Sequence, residues 1–387
     1  MNKHLKINCT TASLPPLHIF SFMIIPIIGF VLLCYTACLT MLVIGLAKKT
    51  QNSPRSAHMP GVSIVIPFKN EAPNLEKLLH SLESQNYNGL YEVILVNDCS
   101  TDSYKDVISL RSWSCPVKVI HSFYSSDRKL SSKQQALDLG IQSASFDWIA
   151  LTDADMVLSP EWILSLMEAT AGGAELVFGH TAMRPLEGKL IFGWVQSFQL
   201  AALFAVAYAF HRVGITGSCM GNNLLVSKKT YCDSGFDTIG YSMVEDRDLL
   251  LALRKKGRPV AATEPFVPTA TTLPCTTFGQ YRNQLLRWAY GGLGRNSNLT
   301  LFAIILACQN LALVCAVFGI LPPCISIISA INFLATWLFI TAAFRMMSSR
   351  HNSLLFPAFY PVLLLETALL PLAFIFRQGV VWKGRRM

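Results

Sequence analysis

The chain has 387 residues, of which 52% are hydrophobic and 14% charged, and it carries a net charge of +9. Soluble domains hold nearer a quarter charged residues, so the composition excludes an ordinary soluble protein and leaves room for one globular domain beside several membrane spans. The basic excess does not point to nucleic acid: Lys and Arg gather beside the apolar segments, as the positive-inside rule and anionic headgroups favour, and no basic, aromatic-interleaved repeat occurs.

Residues 1–17 form a short polar tail. The stretch 18–47 has no charged side chain and exceeds the ~20 residues that a bilayer needs. It lacks a small-residue cleavage site behind a short apolar core, so it reads as an anchor and not a cleaved signal. Lys48, Lys49 and Arg55 follow it, against Lys3 and Lys6 in front, which biases the next domain toward the cytoplasm. A Pro/Ser/Gln linker covers 48–60. Then strands at 62–67, 91–97, 117–121, 148–152 and 175–179 alternate with helices at 75–82, 133–143 and 160–171. That alternation predicts an α/β domain over 61–295, a mainly parallel twisted sheet with helices on both faces and ligands outside the carboxyl ends of the strands.

The segment 190–212 is apolar and long enough to span. Spanning would put Asp98 and Asp155 on one side of the membrane and Asp246 and Arg287 on the other. With Gln196 and Gln199 one helical turn apart, it reads as an interfacial or core helix. Span-length segments at 300–321 and 324–344 flank Pro322-Pro323. The segment 354–376 holds Pro357, Pro361, Glu366 and Pro371 and either spans or re-enters, before a basic tail at 377–387. Almost nothing polar apart from Glu366 is expected in the spans, which argues against a transporter. Eleven cysteines with no Cys-x-x-Cys argue against zinc or a disulfide framework and favour a reducing compartment for the soluble part.

Three strand ends carry polar groups: Lys69-Asn70-Glu71, Asn97-Asp98 and Asp153-Ala154-Asp155. Two carboxylates at one strand end suit Mg²⁺ or Mn²⁺, which prefer oxygen and keep positions open for phosphate. Taken alone, the same residues equally make a solvated turn. Ile64-Val-Ile-Pro67-Phe-Lys-Asn70-Glu71, followed by Val93-Ile-Leu-Val-Asn97-Asp98-Cys99-Ser100-Thr101-Asp102, resembles the opening of a family 2 glycosyltransferase with the A-type nucleotide-sugar fold. Asn97 stands where that family has an aspartate, and Cys99 where it has glycine. The resemblance implies that Asp98 holds the uracil or ribose of a nucleoside diphosphate sugar, with Pro67, Asn70 and Glu71 on the same donor side.

Further matches follow in order. Lys133 resembles the family's helix-start lysine; it either contacts diphosphate or is a solvated surface group. Asp153 and Asp155 fall on the metal motif, Asp155 as direct ligand and Asp153 as ligand or ribose partner. Gly217 to Asn223 resembles the acceptor-side segment and places Asn223 there. Val244-Glu245-Asp246 resembles the stretch whose last aspartate is the general base, with Glu245 beside it. Gln284, Arg287 and Trp288 share one helix face and match the Gln-x-x-Arg-Trp motif of the membrane-bound branch, Arg287 suited to diphosphate and Trp288 to an acceptor sugar. The resemblance covers roughly residues 62–288.

It implies an inverting, metal-dependent glycosyltransferase at the cytoplasmic face of the cell membrane. Such an enzyme moves a sugar from a UDP-sugar to a lipid, lipid-linked or polysaccharide acceptor, alone or as a homo-oligomer or complex subunit. The alternative is a catalytically weak or inactive subunit of the same fold that acts as a scaffold; the departures at Asn97, Cys99 and Val244 favour it, while Asp155, Asp246 and Arg287 oppose it.

Overall fold

The computed structural model describes residues 17–48, 59–109, 112–184, 190–215, 217–264, 268–292, 298–347, 354, 356–375, 381–382 and 385–386. The tail before residue 17, most of the 48–60 linker and most of the 377–387 tail lie outside the described residues.

Helix α1 (Leu17–Ala47) precedes the alternating domain. There β1 (Val62–Phe68), α2 (Ala72–Glu83), β2 (Tyr91–Asn97), α3 (Tyr104–Ser109), β3 (Val117–His121), α4 (Ser132–Gln142) and β4 (Trp148–Leu151) follow in turn. Strands β1 and β2 are nearly continuous apolar runs because both faces of the sheet are covered. Along them the side chains alternate: Val65, Ile94 and Val96 enter one core with α4, while Ile64, Ile66, Val93 and Leu95 enter the other with α2. Past β4 come β5 (Val157–Leu158), α5 (Trp162–Glu168), β6 (Leu176–Phe178), β7 (Thr181–Met183), α6 (Leu190–Arg212) and β8 (Leu224–Ser227). The fold continues with α7 (Lys228–Ser234), α8 (Glu245–Lys255), β9 (Val260–Ala262), β10 (Ala270–Thr272) and α9 (Phe278–Gly292).

The main sheet has the order β3-β2-β1-β4-β8-β6-β9, and β5, β10 and β7 form a smaller second sheet. Pairing is parallel from β3 to β4, but β8 runs antiparallel to both β4 and β6. The sheet is therefore mixed but mostly parallel. The helix expected at 160–171 is shorter, because Pro160 and Glu161 belong to the turn that links β5 to Trp162.

Helices α10 (Asn298–Val317), α11 (Pro323–Met346) and α12 (Phe356–Ile375) follow α9. Among the described residues, four helical stretches are long and apolar enough to cross a membrane: Ile24–Ala47, Ile191–Arg212, Asn298–Val317 and Pro323–Met346. They are not alike, since 56% of the α6 window is buried against 17% for α10. Helix α6 lies between sheet and bundle. Phe204 packs on Phe178 and stacks on His180 from the sheet side, while Phe198 meets Phe344 of α11 and Phe359 of α12.

The expectation that the spans hold almost nothing polar apart from Glu366 is corrected. Gln309, Asn310, Ser329 and Asn332 are all buried within the bundle. Asn332 receives the Thr36 hydroxyl at 2.8 Å and donates to the Gln309 amide oxygen at 3.2 Å. Gln309 donates in turn to the Ser329 carbonyl at 2.9 Å. Asn310 receives the Tyr360 hydroxyl and donates to Thr367. These amides satisfy one another between helices, so hydrogen bonds fix the register of a bundle that apolar packing alone leaves free to slide.

Candidate active site

Strand register gathers the candidate residues at one edge. Phe68 pairs with Asn97, Val65 with Leu151, and Leu151 with Leu224. The residues just past β1, β2 and β4, and those just before the antiparallel β8, therefore emerge together. The loops after β1 and β2 are laced to each other. Asn70 accepts the Thr101 N–H at 2.8 Å, the Asn70 N–H reaches the Ser100 hydroxyl at 3.0 Å, and Asp102 accepts the Ala72 N–H at 2.7 Å at the start of α2. Asn70 and Cys99 both have φ of 54°, a left-handed backbone that disfavours side chains other than Asn and Gly. The turn demands a glycine-like conformation at position 99, and this chain adopts it with a cysteine. Pro67 is buried within β1, and Glu71 accepts a hydrogen bond from Asn74 at 2.6 Å. Asn97 is not an idle replacement. Its amide N lies 3.1 Å from both the Tyr104 hydroxyl and His121 Nδ1, and its oxygen accepts the Ser100 N–H. A carboxylate here would instead have to accept from the Tyr104 hydroxyl and the His121 ring.

Helix α4 aims its N-terminus at this edge. Ser131 and Gln134 form a reciprocal capping box, and Gly140 lets the helix lie close on β1, where a Cβ would fall 2.4 Å from Val65. The Ser132 hydroxyl donates to Asp98 at 2.5 Å, fixing a buried carboxylate. Lys133 bridges two acids, Asp153 at 2.8 Å and Glu245 at 2.7 Å. Burial pulls its ammonium downward, yet the two carboxylates outweigh that and hold it well above the usual lysine range. Gln134, wholly buried, accepts the Ser242 N–H and donates to the Gly240 carbonyl. This amide clamps the approach to α8 against α4 and so brings Glu245 to Lys133.

Asp246 sits one residue on and lines a small cavity together with Lys133, Asp153, Gly221 and Glu245 and with apolar side chains such as Ile141, Leu224 and Leu249. Its Oδ2 accepts the Gly221 N–H at 2.7 Å. A Cβ on residue 221 would fall 2.6 Å from Asp246 Cβ, so only glycine permits this approach. Burial and the neighbouring Glu245 push the Asp246 carboxyl up to about 6, while Lys133 and the N–H groups of Arg247 and Gly221 pull the other way.

Helix α9 lies beside the site, against Val244. The Cys275 thiol lies 3.6 Å from the Gln284 oxygen and within electrostatic range of both Arg287 and Asp155. Two hydrogen bonds seat the segment before α9 on α6: the Cys275 N–H to Gln196 at 2.8 Å, and Gln196 to the Cys275 carbonyl at 3.1 Å. The Tyr281 hydroxyl lies 2.7 Å from Gln199 of α6 and 2.5 Å from Glu366 of α12, and Gln199 also donates to Glu366 at 2.7 Å. At the far end of α9, Gly291 packs against Val244, and Arg247 donates to its carbonyl. Trp288 is half-buried on this helix. Asn223 is placed differently. Fully buried, it accepts from Trp162 and donates to the His180 carbonyl and the Thr269 hydroxyl, so it holds the loop from behind and does not face the cavity.

The structure thus brings Lys133, Asp153, Glu245 and Asp246 into one cluster, with Asp98 joined to it through α4 and Asp155, Gln284 and Arg287 grouped around Cys275. The sequence reading missed Ser132, Gln134 and Gly221. The glycine was visible within Met220-Gly221-Asn222, but nothing local signals that a carboxylate lies against it. A divalent cation fits the donor set. Among the described residues no three His, Cys, Asp or Glu form a closed metal cage. Mg²⁺ and Mn²⁺ need none when phosphate and water complete the shell. Asp155 is exposed at the edge, whereas Asp153 is already engaged by Lys133.

Comparison with known proteins gives a consistent picture. "Glycosyl transferase family 2" matches residues 63–221 and "Glycosyl transferase family group 2" matches residues 148–375. A dolichol-phosphate mannosyltransferase of Pyrococcus furiosus is 33% identical over 133 residues, 34% of this chain and 36% of that protein. A poly-beta-1,6-N-acetyl-D-glucosamine synthase of Staphylococcus aureus is 25% identical over 242 residues, 60% of this chain and 55% of that protein. The chain thus spans between about a third and about half the length of these curated relatives. In fold it is similar to a mannosyltransferase from Pyrobaculum calidifontis solved with GDP-Man and Mn²⁺, with a TM-score of 0.53 and 15% identity over 90% of this chain and 98% of that one.

Proposed function

Because the chain belongs to the family 2 glycosyltransferases, we propose that it transfers a sugar, with inversion, from a UDP-sugar to a lipid, lipid-linked or glycan acceptor at the cytoplasmic face of a membrane. The observation that carries the reading is the buried Asp246 carboxyl, poised at about 6 in a cavity shared with Lys133 and Asp153. A carboxyl in that range is ionised near neutral pH yet basic enough to take a proton.

In this reading Asp98, oriented by Ser132, receives the ribose or uracil, while Pro67, Asn70 and Glu71 shape the loop beside it. Arg287 faces the diphosphate with its planar fork, and Lys133 keeps Asp153 and Glu245 compensated and adds positive charge near the leaving group. Asp155, with Asp153 beside it, would hold a divalent cation, which when bound supplies neutralisation of the donor phosphates. Asp246 takes the proton of the acceptor hydroxyl as oxygen attacks the anomeric carbon from the face opposite the diphosphate. No covalent sugar–enzyme bond is needed. Glu245 raises the basicity of Asp246. Gln284 and Trp288 contact the acceptor.

Membranes holding the full chain, with Mn²⁺ and a panel of UDP-sugars beside GDP-mannose, test the proposal. Transfer from a UDP-sugar, abolished by chelation, is the expected result. Transfer from GDP-mannose alone overturns the donor assignment. Protease cleavage within 51–60 in sealed vesicles of known orientation reads the sidedness.

A further inference from the structure

Away from the cavity, three cations meet where two apolar helices end. Helices α1 and α6 cross at backbone contact: a Cβ on Gly45 would fall 2.2 Å from the Ala209 carbonyl oxygen. The crossing brings their C-termini level. Lys48 Nζ donates to the Arg212 carbonyl at 3.0 Å, and Arg212 donates to the Lys48 carbonyl. Each cation caps the other's helix, where the dipole favours positive charge. Arg254, in the last turn of α8, joins them by donating to His211 Nδ1 at 2.9 Å. Lys48, Arg212 and Arg254 all lie within electrostatic range of the His211 ring.

Helix capping explains two of these cations but not their gathering with the third. Among the described residues no carboxylate pairs with any of them, whereas Arg128, Lys133, Arg247 and Arg258 all have acidic partners. The Nε atoms of Arg212 and Arg254 are buried without an acceptor. Arg212 also lies over the Tyr208 ring, with Cζ 5.8 Å from its centroid, so the guanidinium is held and not waving in solvent. Like charges held together call for an anion. Helix α1 is long and apolar enough to cross a bilayer and ends at this corner, so Lys48 and its neighbours lie at the height where headgroup phosphates run.

We propose that the corner formed by Lys48, Arg212 and Arg254 binds the phosphate of an anionic phospholipid headgroup. The site is independent of which sugar the enzyme moves. It has one further consequence: Arg254 closes α8, whose first turn carries Glu245 and Asp246, so the bound anion braces the helix that bears the base.

The full chain in nanodiscs of phosphatidylcholine with increasing phosphatidylglycerol supplies the test, read as the thermal unfolding midpoint. For wild type the midpoint is expected to rise with phosphatidylglycerol. In Arg254→Gln, which leaves both helix caps in place, the mole fraction giving half the rise should increase about fivefold, the effect of losing one cation near a charged surface. Arg254→Lys should keep the wild-type response and so separates lost charge from lost folding. An unchanged response in Arg254→Gln, or no rise for wild type, overturns the proposal. So does an equal rise from millimolar inorganic phosphate in uncharged detergent with none added by phosphatidylglycerol, since the corner would then take a free anion and not a lipid.

Discussion

Replacing Asp246 by Asn should make the protein inactive and more stable at once. The asparagine oxygen can still accept the Gly221 N–H, so the loop remains anchored while the basic group is lost. The Asp246 carboxyl titrates at about 6 when folded against 3.8 for an unperturbed aspartate. Folding therefore takes up a proton between these values, and the fold gains stability as pH falls from 6 toward 4. At pH 7 the ionised group costs the fold on the order of 2–3 kcal/mol, at 1.36 kcal/mol for each unit. The neutral amide removes that cost, and the unfolding midpoint at pH 7 should rise by several degrees. Transfer should fall by about 10²–10⁴, the usual worth of a positioned base. Wild-type kcat/KM should drop tenfold per pH unit below about 6, and the residual activity of the variant should be flat there. Chemical denaturation at pH 7 and pH 4.5 together with initial rates across pH 5–8 would read all of this. Loss of stability alongside loss of activity would refute the argument, because it would make Asp246 a structural group; so would an acidic limb that survives in the variant.

Four further outcomes follow from the geometry. Gly221→Ala should cut transfer at least tenfold without unfolding the domain, as its methyl would occupy the place of Asp246; rates and circular dichroism read this. Lys133→Met should take from Asp153 and Glu245 the cation they share and destabilise the fold, and should move the acidic limb of the rate profile to higher pH, because Lys133 lowers Asp246. Glu366→Leu should leave donor binding by calorimetry unchanged but lower transfer, since it frees Tyr281 one turn before Gln284; Glu366→Gln should largely restore it. Cys99→Gly should raise stability by about 1 kcal/mol by relieving the left-handed backbone, seen as a higher unfolding midpoint.

The first half of the domain is plainly legible in the sequence because its signals are local. Strands 62–67, 91–97 and 148–152 are apolar runs that end in polar turns, and parallel register makes those turns neighbours without any further information. The departure at Cys99 even marks its own backbone strain. The second half is harder to read because its order comes from distant partners. Nothing near Leu224 announces that β8 runs antiparallel, because that follows from the return path after α6. Gln134 looks like an ordinary helix residue until the Gly240–Ser242 loop lies against it. Asn223 falls in a motif, but its fully buried amide is hydrogen-bonded to Trp162, His180 and Thr269, partners that no local pattern announces. In the bundle, Gln309 and Asn332 are diluted by apolar neighbours in any hydropathy window, yet they meet one another across helices.

Helix α6 has a consequence for how the molecule comes apart. Phe178, Leu224 and Val226 of the sheet, Phe204 of α6, and Phe339 and Phe344 of α11 belong to one contiguous apolar core. Among the described residues no seam separates the sheet from the helical bundle. A fragment cut to the alternating domain would keep α6 but strip its bundle side, leaving Phe198 and its neighbours in water as an adhesive surface. Synthesis order then matters as well: the sheet is translated before α10 and α11, so part of its core waits for helices that follow it in the chain. The shared core ties the packing of the sheet to the packing of the bundle, so injury to either reaches the other.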